Sequence, residues 1–243
     1  IATESRRVAE ARVSPEKALK LLEADGDYDH AYWDMAKEQG WTAIALAEDV
    51  GGLGLGLIEL GQVSLAVGAV GAGAPFLTTN YGAASAIAAH GDDAQKAAWL
   101  EKLASGAAIG VVAIAEGQSA LPTASAVTFA DGALSGTKPA VSGGLHADVA
   151  VVLASENGQP VLVVADLAGV ARQRIPSFDN TRGAADLVFA GTPATKLAVD
   201  DARAAALAVL ARQSIVTARA QHHGLRGTDL LMRDYANTRK AFG

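Results

Sequence analysis

The chain has 243 residues, half of them hydrophobic, and a formal net charge of -6. Its length allows one large domain or two to three small ones, and the absence of a basic stripe argues against nucleic acid as a partner. Because the sequence has no cysteine, disulfides, thiolate nucleophiles and thiolate metal sites are excluded. No uncharged apolar run approaches the roughly 20 residues of a membrane span and no signal peptide is visible. We therefore expect a cytoplasmic protein, and Ile1 in place of Met indicates that a natural start precedes it.

The first hundred residues carry the patterns of helices. Ser14 followed by Pro15 is typical of a helix start, because serine caps and proline suits the first helical position. A glycine-dense segment over 51–56 precedes an apolar helix, but no strand leads into it and no Lys-Ser/Thr pair follows, so it is not a phosphate-binding loop. We expect it to allow a tight turn between helices. The predicted helices cover 1–22, 29–40, 57–70, 78–90 and 92–104.

The middle of the chain carries short apolar runs separated by turn residues, which predict β-strands. A second helical stretch follows over 202–241, with a bend predicted near His223 and Gly224. A small sheet between two helical blocks is an α+β arrangement, and we expect the ligand to bind at this sheet. The predicted strands cover 111–115, 126–129, 133–136, 149–153, 161–165, 170–172 and 185–189.

Four segments, in their order and spacing, resemble the acyl-CoA dehydrogenase family. The resemblance covers the whole chain, and the loop at 179–182 also fits it. The segments are Gly40-Trp41 with the glycine-rich 48–54, Ala115-Glu116 after the first strand, 136–143 with Ala147-Asp148 following, and Tyr235 to Gly243 with its Arg-x-x-Phe-Gly pattern.

This resemblance implies a fold and an activity. It predicts an N-terminal helical domain over 1–106, a middle β domain over 107–198 and an incomplete C-terminal helical domain over 199–243. Members of the family bind FAD and oxidise an acyl-CoA thioester to the 2,3-enoyl-CoA, as in fatty acid or steroid side-chain degradation. A carboxylate removes the proton from Cα, and a hydride leaves Cβ for the flavin. A homologous acyl-CoA dehydrogenase subunit is the implied protein partner.

The resemblance also implies flavin-contacting positions, several of which are changed here. Ala113 and Ala115 lie in the segment that contacts the flavin, and Ala115 replaces a threonine. Pro122 lies where the family has Gly-Ser-Asp, and it removes a backbone donor. Ala140 replaces an aromatic residue that covers the flavin ring. Ser142 keeps a hydroxyl where the family uses Thr or Ser to reach the flavin, the alternative being an exposed turn serine.

The chain shows no catalytic base. In some relatives the glutamate lies early in the helix that ends at the Arg-x-x-Phe-Gly pattern, and a count back from Tyr235 places Gln213 there. An amide cannot serve as a base. The other position used by the family lies beyond Gly243. Asp229 and Asp234 are on the right helix, but we interpret them as solvated charges.

Arg239 and Phe242 match residues that, in the family, reach across a dimer interface to the neighbouring subunit's FAD. A guanidinium fork suits a pyrophosphate. The alternative for Arg239 is a cation that stabilises the carboxyl end of a helix. No His-x-x-x-His pair or acidic cluster predicts a metal site.

Three functional hypotheses follow. The first is a subunit of an FAD-dependent acyl-CoA dehydrogenase that is active only with a partner subunit. The second is a homomeric enzyme whose flavin site diverged and whose base lies beyond Gly243. The third is a non-enzymatic scaffold or regulatory subunit that kept the fold.

Overall fold

A computed structural model describes residues 1–23, 27–71, 80–177 and 179–240. Phe242 and Gly243 lie outside the described residues, as do the first two residues of the helix predicted over 78–90.

The N-terminal block contains six described α-helices instead of the predicted five. The single helix predicted over 1–22 is wrong, because the chain is extended at Val13 (φ -102°, ψ 127°). The proline at position 15 in addition disfavours the helical conformation at Ser14. The Ser14 hydroxyl accepts a hydrogen bond from the Lys17 N–H at 3.3 Å, which confirms the helix start. The helices are α1 Ala2–Arg12, α2 Pro15–Glu23, α3 His30–Glu38, α4 Leu57–Val70, α5 Tyr81–His90 and α6 Asp93–Ser105.

Seven strands form one mostly antiparallel sheet. Five of them close a ring in the order β4, β2, β3, β7, β5 and back to β4, while β1 pairs in parallel with β4 and β6 pairs with β7. The strands are β1 Gly110–Ala113, β2 Thr128–Ala130, β3 Ala133–Val141, β4 Val149–Glu156, β5 Gln159–Asp166, β6 Ala171–Arg174 and β7 Ala185–Lys196. Short 3-10 helices cover Glu48–Val50 and Asn180–Arg182.

Strand β4 separates two apolar cores. Val151 and Leu153 pack with residues of α5, α6 and the following long helix, whereas Ala150 and Val152 face the inside of the ring. Successive side chains of a strand point to opposite faces, so a strand buried on both faces reads as a continuous apolar run. This arrangement joins the helices to one face of the sheet.

The last described helix, α7 Ala202–Thr238, continues through Gly224 without interruption. It crosses α4 closely at Gly68, where an added Cβ would lie 1.9 Å from the carbonyl oxygen of Ala220. Only glycine allows the two backbones to approach so closely. Large apolar side chains are exposed on the far half of α7, including Leu225 and Leu231.

The helical block, the sheet and α7 confirm the predicted α+β class. Within the described ranges, no helix is long and apolar enough to cross a membrane.

Candidate functional site

A cleft of about 530 Å³ lies between the sheet and α7; we call it the sheet–helix cleft. Its polar wall on α7 carries Gln213, Thr217 and Gln221, and residues four apart lie on one helix face. The spacing of these three polar residues is visible in the sequence, although no prediction used it. The cleft is lined by Val112, Ser142, Arg182, Leu210, Gln213, Ser214, Thr217, Ala218 and Gln221.

The other wall brings Ser142 and Arg182 to the same cleft. Ser142 follows β3 directly and is exposed, in the position expected for a residue that faces a ligand. The neighbouring Gly143 N–H donates to the carbonyl oxygen of Arg182 at 2.9 Å, which ties the two loops together. The Arg182 Nε donates to Asp179 at 3.1 Å, so the guanidinium is held at the rim while remaining half exposed.

Gln213, which the count back from Tyr235 predicts at the position of a base, lines the cleft. A Cβ added to Gly82 of α5 would lie 2.3 Å from the Gln213 Nε2 and 2.8 Å from the Val112 Cγ2, so a larger residue there would displace these side chains. An amide can donate and accept hydrogen bonds but cannot take a proton as a base at neutral pH. None of the described lining residues is Asp or Glu.

The alanines predicted as flavin positions are not among the residues that line the sheet–helix cleft. Ala113 is buried inside the ring of strands and faces away from the cleft that Val112 lines, whereas Ala115 is exposed after β1. Ala140 is exposed at an irregularity of β3 with φ 49°, and its N–H donates to Asp186 at 2.7 Å. No aromatic ring is supplied from these positions.

A buried ion pair fixes the loop between β1 and β2. The Lys138 side chain is fully buried, and its ammonium donates to the Glu116 carboxylate, to the Ile114 carbonyl oxygen at 3.3 Å and to the Ser125 hydroxyl at 3.2 Å. Glu116 also accepts from the Ser125 hydroxyl at 2.6 Å and the Ala126 N–H at 2.8 Å. Both ends of the loop are therefore joined to β3.

The environment shifts both groups of this pair. Burial lowers the pKa of Lys138, and the hydrogen bond from the ammonium to Glu116 opposes that change. Burial by itself would raise the pKa of Glu116, but hydrogen bonds from Lys138, Ser125 and Ala126 outweigh it, so the pKa is lowered. The lowered pKa makes this carboxylate a weak base, and its oxygens already accept three hydrogen bonds, so it acts as an anchor for the loop.

The same loop is tied to α7. Arg203, in the first turn of α7, donates a hydrogen bond to the carbonyl oxygen of Pro122. From the sequence, Pro122 was predicted only to remove a backbone N–H donor. Its contact with Arg203 and the Lys138 network were not predicted. Lys138 lies four residues after Leu134, on the same face of the strand, and a loop glutamate that can pair with it comes earlier in the chain; this is the signal that could have found the network.

Arg239 lies at the end of α7, away from the sheet–helix cleft. It is exposed, and its guanidinium carbon lies 5.3 Å from the centroid of the Tyr235 ring. Its N–H donates to the Tyr235 carbonyl oxygen at 2.9 Å, which closes the last turn. Asp229 and Asp234 are exposed on the same helix. Phe242 lies outside the described residues, and the described part of the chain contains no group of acidic or histidine side chains that could hold a metal.

A helical block, a ring-closed sheet and a long helix, with a cleft between the sheet and that helix, form an acyl-CoA dehydrogenase-type fold. Residues 1–107 match the family described as acyl-CoA dehydrogenase, N-terminal domain. The chain is also 31% identical over 174 residues to acyl-CoA dehydrogenase FadE28 of Mycobacterium tuberculosis, covering 71% of this chain and 49% of that protein. It thus spans about half the length of the curated relative.

Solved structures agree with this fold. The ChsE4-ChsE5 complex from Mycobacterium tuberculosis superposes with a TM-score of 0.83 and 24% identity, over 99% of this chain and 66% of that one. A glutaryl-CoA dehydrogenase from Mycobacterium smegmatis in complex with FADH2 superposes with a TM-score of 0.86 and 20% identity, over 99% of this chain and 65% of that one. The match over residues 1–107, the curated relative and the solved structures all support the acyl-CoA dehydrogenase family for this chain.

Proposed function

We propose that this chain is a subunit of an FAD-dependent acyl-CoA dehydrogenase, which converts an acyl-CoA thioester to the 2,3-enoyl-CoA and is active only with a homologous partner subunit. The observation that carries this proposal is the chemistry of the sheet–helix cleft. It presents hydroxyl, amide and guanidinium groups, yet none of its described lining residues is a carboxylate. Such a site can bind and orient a polar ligand but lacks a group that would remove the proton from Cα.

The donor set fits a flavin on one side. Ser142 and Thr217 supply hydroxyls, Gln213 an amide and Arg182 a cation, and these groups can bond to the carbonyl and phosphate oxygens of FAD. The cleft volume of about 530 Å³ lies within the range of small-molecule sites. When bound, FAD would supply the acceptor for the hydride that leaves Cβ.

The remaining positions suggest that a second subunit completes the site. Ala113, Ala115 and Ala140 contribute no side-chain donor or ring, whereas Arg239 is exposed at the end of α7. Among the similar structures, the ChsE4-ChsE5 complex is formed by two named components. We therefore propose that Ser142 acts toward the flavin in this chain's cleft, while Arg239 and Phe242 act toward the partner's flavin.

Purification of the chain alone and together with a homologous partner tests this proposal. We expect the flavin absorbance band and acyl-CoA-dependent dye reduction only in the co-purified complex. A flavin-bound, active chain without partner would favour the homomeric enzyme. If neither preparation binds flavin or reduces dye, the chain is a scaffold that kept the fold.

The variant Ser142→Ala in the complex tests the cleft itself. One hydrogen bond to the flavin contributes roughly 1 kcal/mol to binding, so its loss should weaken flavin binding by about fivefold to tenfold. Ser105→Ala is the matched control and should leave flavin binding unchanged. Ser105 is exposed on α6, and among the described residues its hydroxyl bonds only to the Lys102 carbonyl oxygen.

A further inference from the structure

A second cavity of about 620 Å³ lies on the other side of α7, between α1 and α4; we call it the α1–α7 cavity. Arg6 and Arg7 project from α1, His223 from α7, and Leu65 and Ala66 form an apolar wall on α4. The proposed flavoenzyme function does not use this cavity.

Positive charge is concentrated around His223. Burial is the largest cause that lowers the pKa of His223, and the neighbouring His222, Arg226, Arg6 and Arg219 lower it further. Arg219 lies across α4, with its Nε 3.4 Å from where a Cβ on Gly61 would be. This local excess of cations contrasts with the net charge of -6 of the whole chain.

Two carboxylates of α1 pair with the arginines of the same helix, and one of them, Glu10, also lines the cavity. Arg6 pairs with Glu10 at 2.7 Å, and Arg7 pairs with Glu4, but all four side chains are at least half exposed. A guanidinium has five N–H donors, so one carboxylate partner leaves donors available to a ligand. Water screens such surface pairs strongly, and an incoming anion can compete with them.

His223 has one ring nitrogen that is not satisfied. Its Nδ1 is buried and has no hydrogen-bond partner among the described residues. A buried polar atom without a partner is unfavourable, and native structures rarely leave one unexplained. The residue lines the cavity, and because Nδ1 itself is buried, the ring must turn before a ligand there can supply the partner.

We propose that the α1–α7 cavity binds a phosphate-bearing small molecule, with its phosphate groups held by Arg6, Arg7 and His223 and its remainder against Leu65 and Ala66. Guanidinium groups bind phosphate oxygens in a bidentate manner. The first turn of α1, at Ala2 and Thr3, also borders the cavity, and the amino end of a helix favours an anion. The two guanidinium groups of α1 suit a diphosphate better than a single carboxylate.

Calorimetric titration of the chain with inorganic pyrophosphate at low salt tests this inference. We expect saturable binding with a dissociation constant below about 1 mM. Arg6→Gln and His223→Gln should each weaken binding about tenfold, as expected for loss of a charge-assisted hydrogen bond. The imidazole signal of His223 should shift on titration in the parent protein.

Two matched variants distinguish binding in the α1–α7 cavity from diffuse attraction and from binding in the sheet–helix cleft. Arg233→Gln removes an exposed cation elsewhere on α7 and should leave pyrophosphate binding unchanged. Arg182→Gln removes the cation of the sheet–helix cleft, and adding Arg6→Gln to that variant should still weaken binding about tenfold. Absence of binding in the parent protein overturns the proposal. An equal loss in Arg233→Gln means diffuse attraction, and no further loss when Arg6→Gln is added to Arg182→Gln means that pyrophosphate binds in the sheet–helix cleft; either result also overturns it. Since Arg6 is exposed, its variant remains informative even if His223→Gln does not fold.

Discussion

The ammonium of Lys138 and the carboxylate of Glu116 are hydrogen-bonded inside the sheet, although 22 positions separate them in the chain. The lysine is fully buried, and the glutamate side chain is only 14% exposed. Each charge therefore depends on the other for compensation, and the pair decides where the loop after β1 lies.

Removing one partner of this pair should be costly. We expect Glu116→Gln to lower the free energy of unfolding by about 3 kcal/mol, because it leaves a buried ammonium without its counter-charge. The double variant with Lys138→Met should lose less than the sum of the two single variants. Urea unfolding of all four proteins measures this coupling.

The exposed pair Lys196–Glu156, at 3.0 Å on the same sheet, provides the control. Glu156→Gln should cost no more than about 1 kcal/mol, as is usual for surface ion pairs. Equal effects of the two glutamine variants would show that the buried pair does not anchor the loop.

The same pair should affect how the free energy of unfolding changes at acidic pH. The pKa of Glu116 is lowered in the folded chain from its ordinary value of 4.5, so the unfolded chain binds this proton more readily. The stabilisation is fully present above the unfolded value and is lost as the pH falls through the lower, folded value. The free energy of unfolding is measured from pH 7 into the acid range. Below pH 4.5, the ordinary pKa of a glutamate, we expect it to fall less steeply in Glu116→Gln than in the parent protein.

Local patterns predicted the fold class, most helices and the strands, because capping residues and short apolar runs act over a few neighbours. The helix predicted over 1–22 was wrong because the extended Val13, just before Ser14-Pro15, separates α1 from α2. Long-range relations were not predictable in the same way. Strand register brings Lys138 to Glu116. Loop contacts bring Ser142 and Arg182 to the same cleft. The domain boundaries after residues 106 and 198 remain predictions.

The close crossing of α4 and α7 predicts different effects on stability for two glycine-to-alanine substitutions in α4. Gly68→Ala should destabilise the chain by more than about 2 kcal/mol, because its Cβ would overlap the Ala220 backbone, and overpacking against a backbone is hard to relieve. Gly61→Ala in the same helix meets only the Arg219 side chain at 3.4 Å. That variant should be neutral or gain up to about 1 kcal/mol from helix propensity.

Thermal unfolding of the two alanine variants, followed by circular dichroism, measures the difference. The two substitutions have the same intrinsic helix preference, so only the interhelical contact separates them. Similar melting temperatures for both would mean that α7 does not approach α4 at Gly68.

Arg239 provides the test of action on a neighbouring subunit. In the described residues its guanidinium stacks on Tyr235 of its own helix, and no carboxylate of that part of the chain pairs with it. A bidentate contact with a neighbour's flavin phosphates would contribute roughly 1.5 to 3 kcal/mol. Arg239→Ala, made on this subunit only, should therefore weaken flavin binding in the assembled complex by about one to two decades.

Flavin titration of the complex at two salt concentrations distinguishes the two roles of this arginine. Loss of a phosphate contact should leave the remaining affinity less dependent on salt, because one fewer cation faces the flavin. Arg233→Ala, on the same exposed end of α7, is the matched control and should change neither the affinity nor its salt dependence. A cation that only stabilises the helix end would instead lower the melting temperature slightly and leave flavin affinity intact. If Arg239→Ala lowers only the melting temperature, the sheet–helix cleft is the sole support for a flavoenzyme role of this chain.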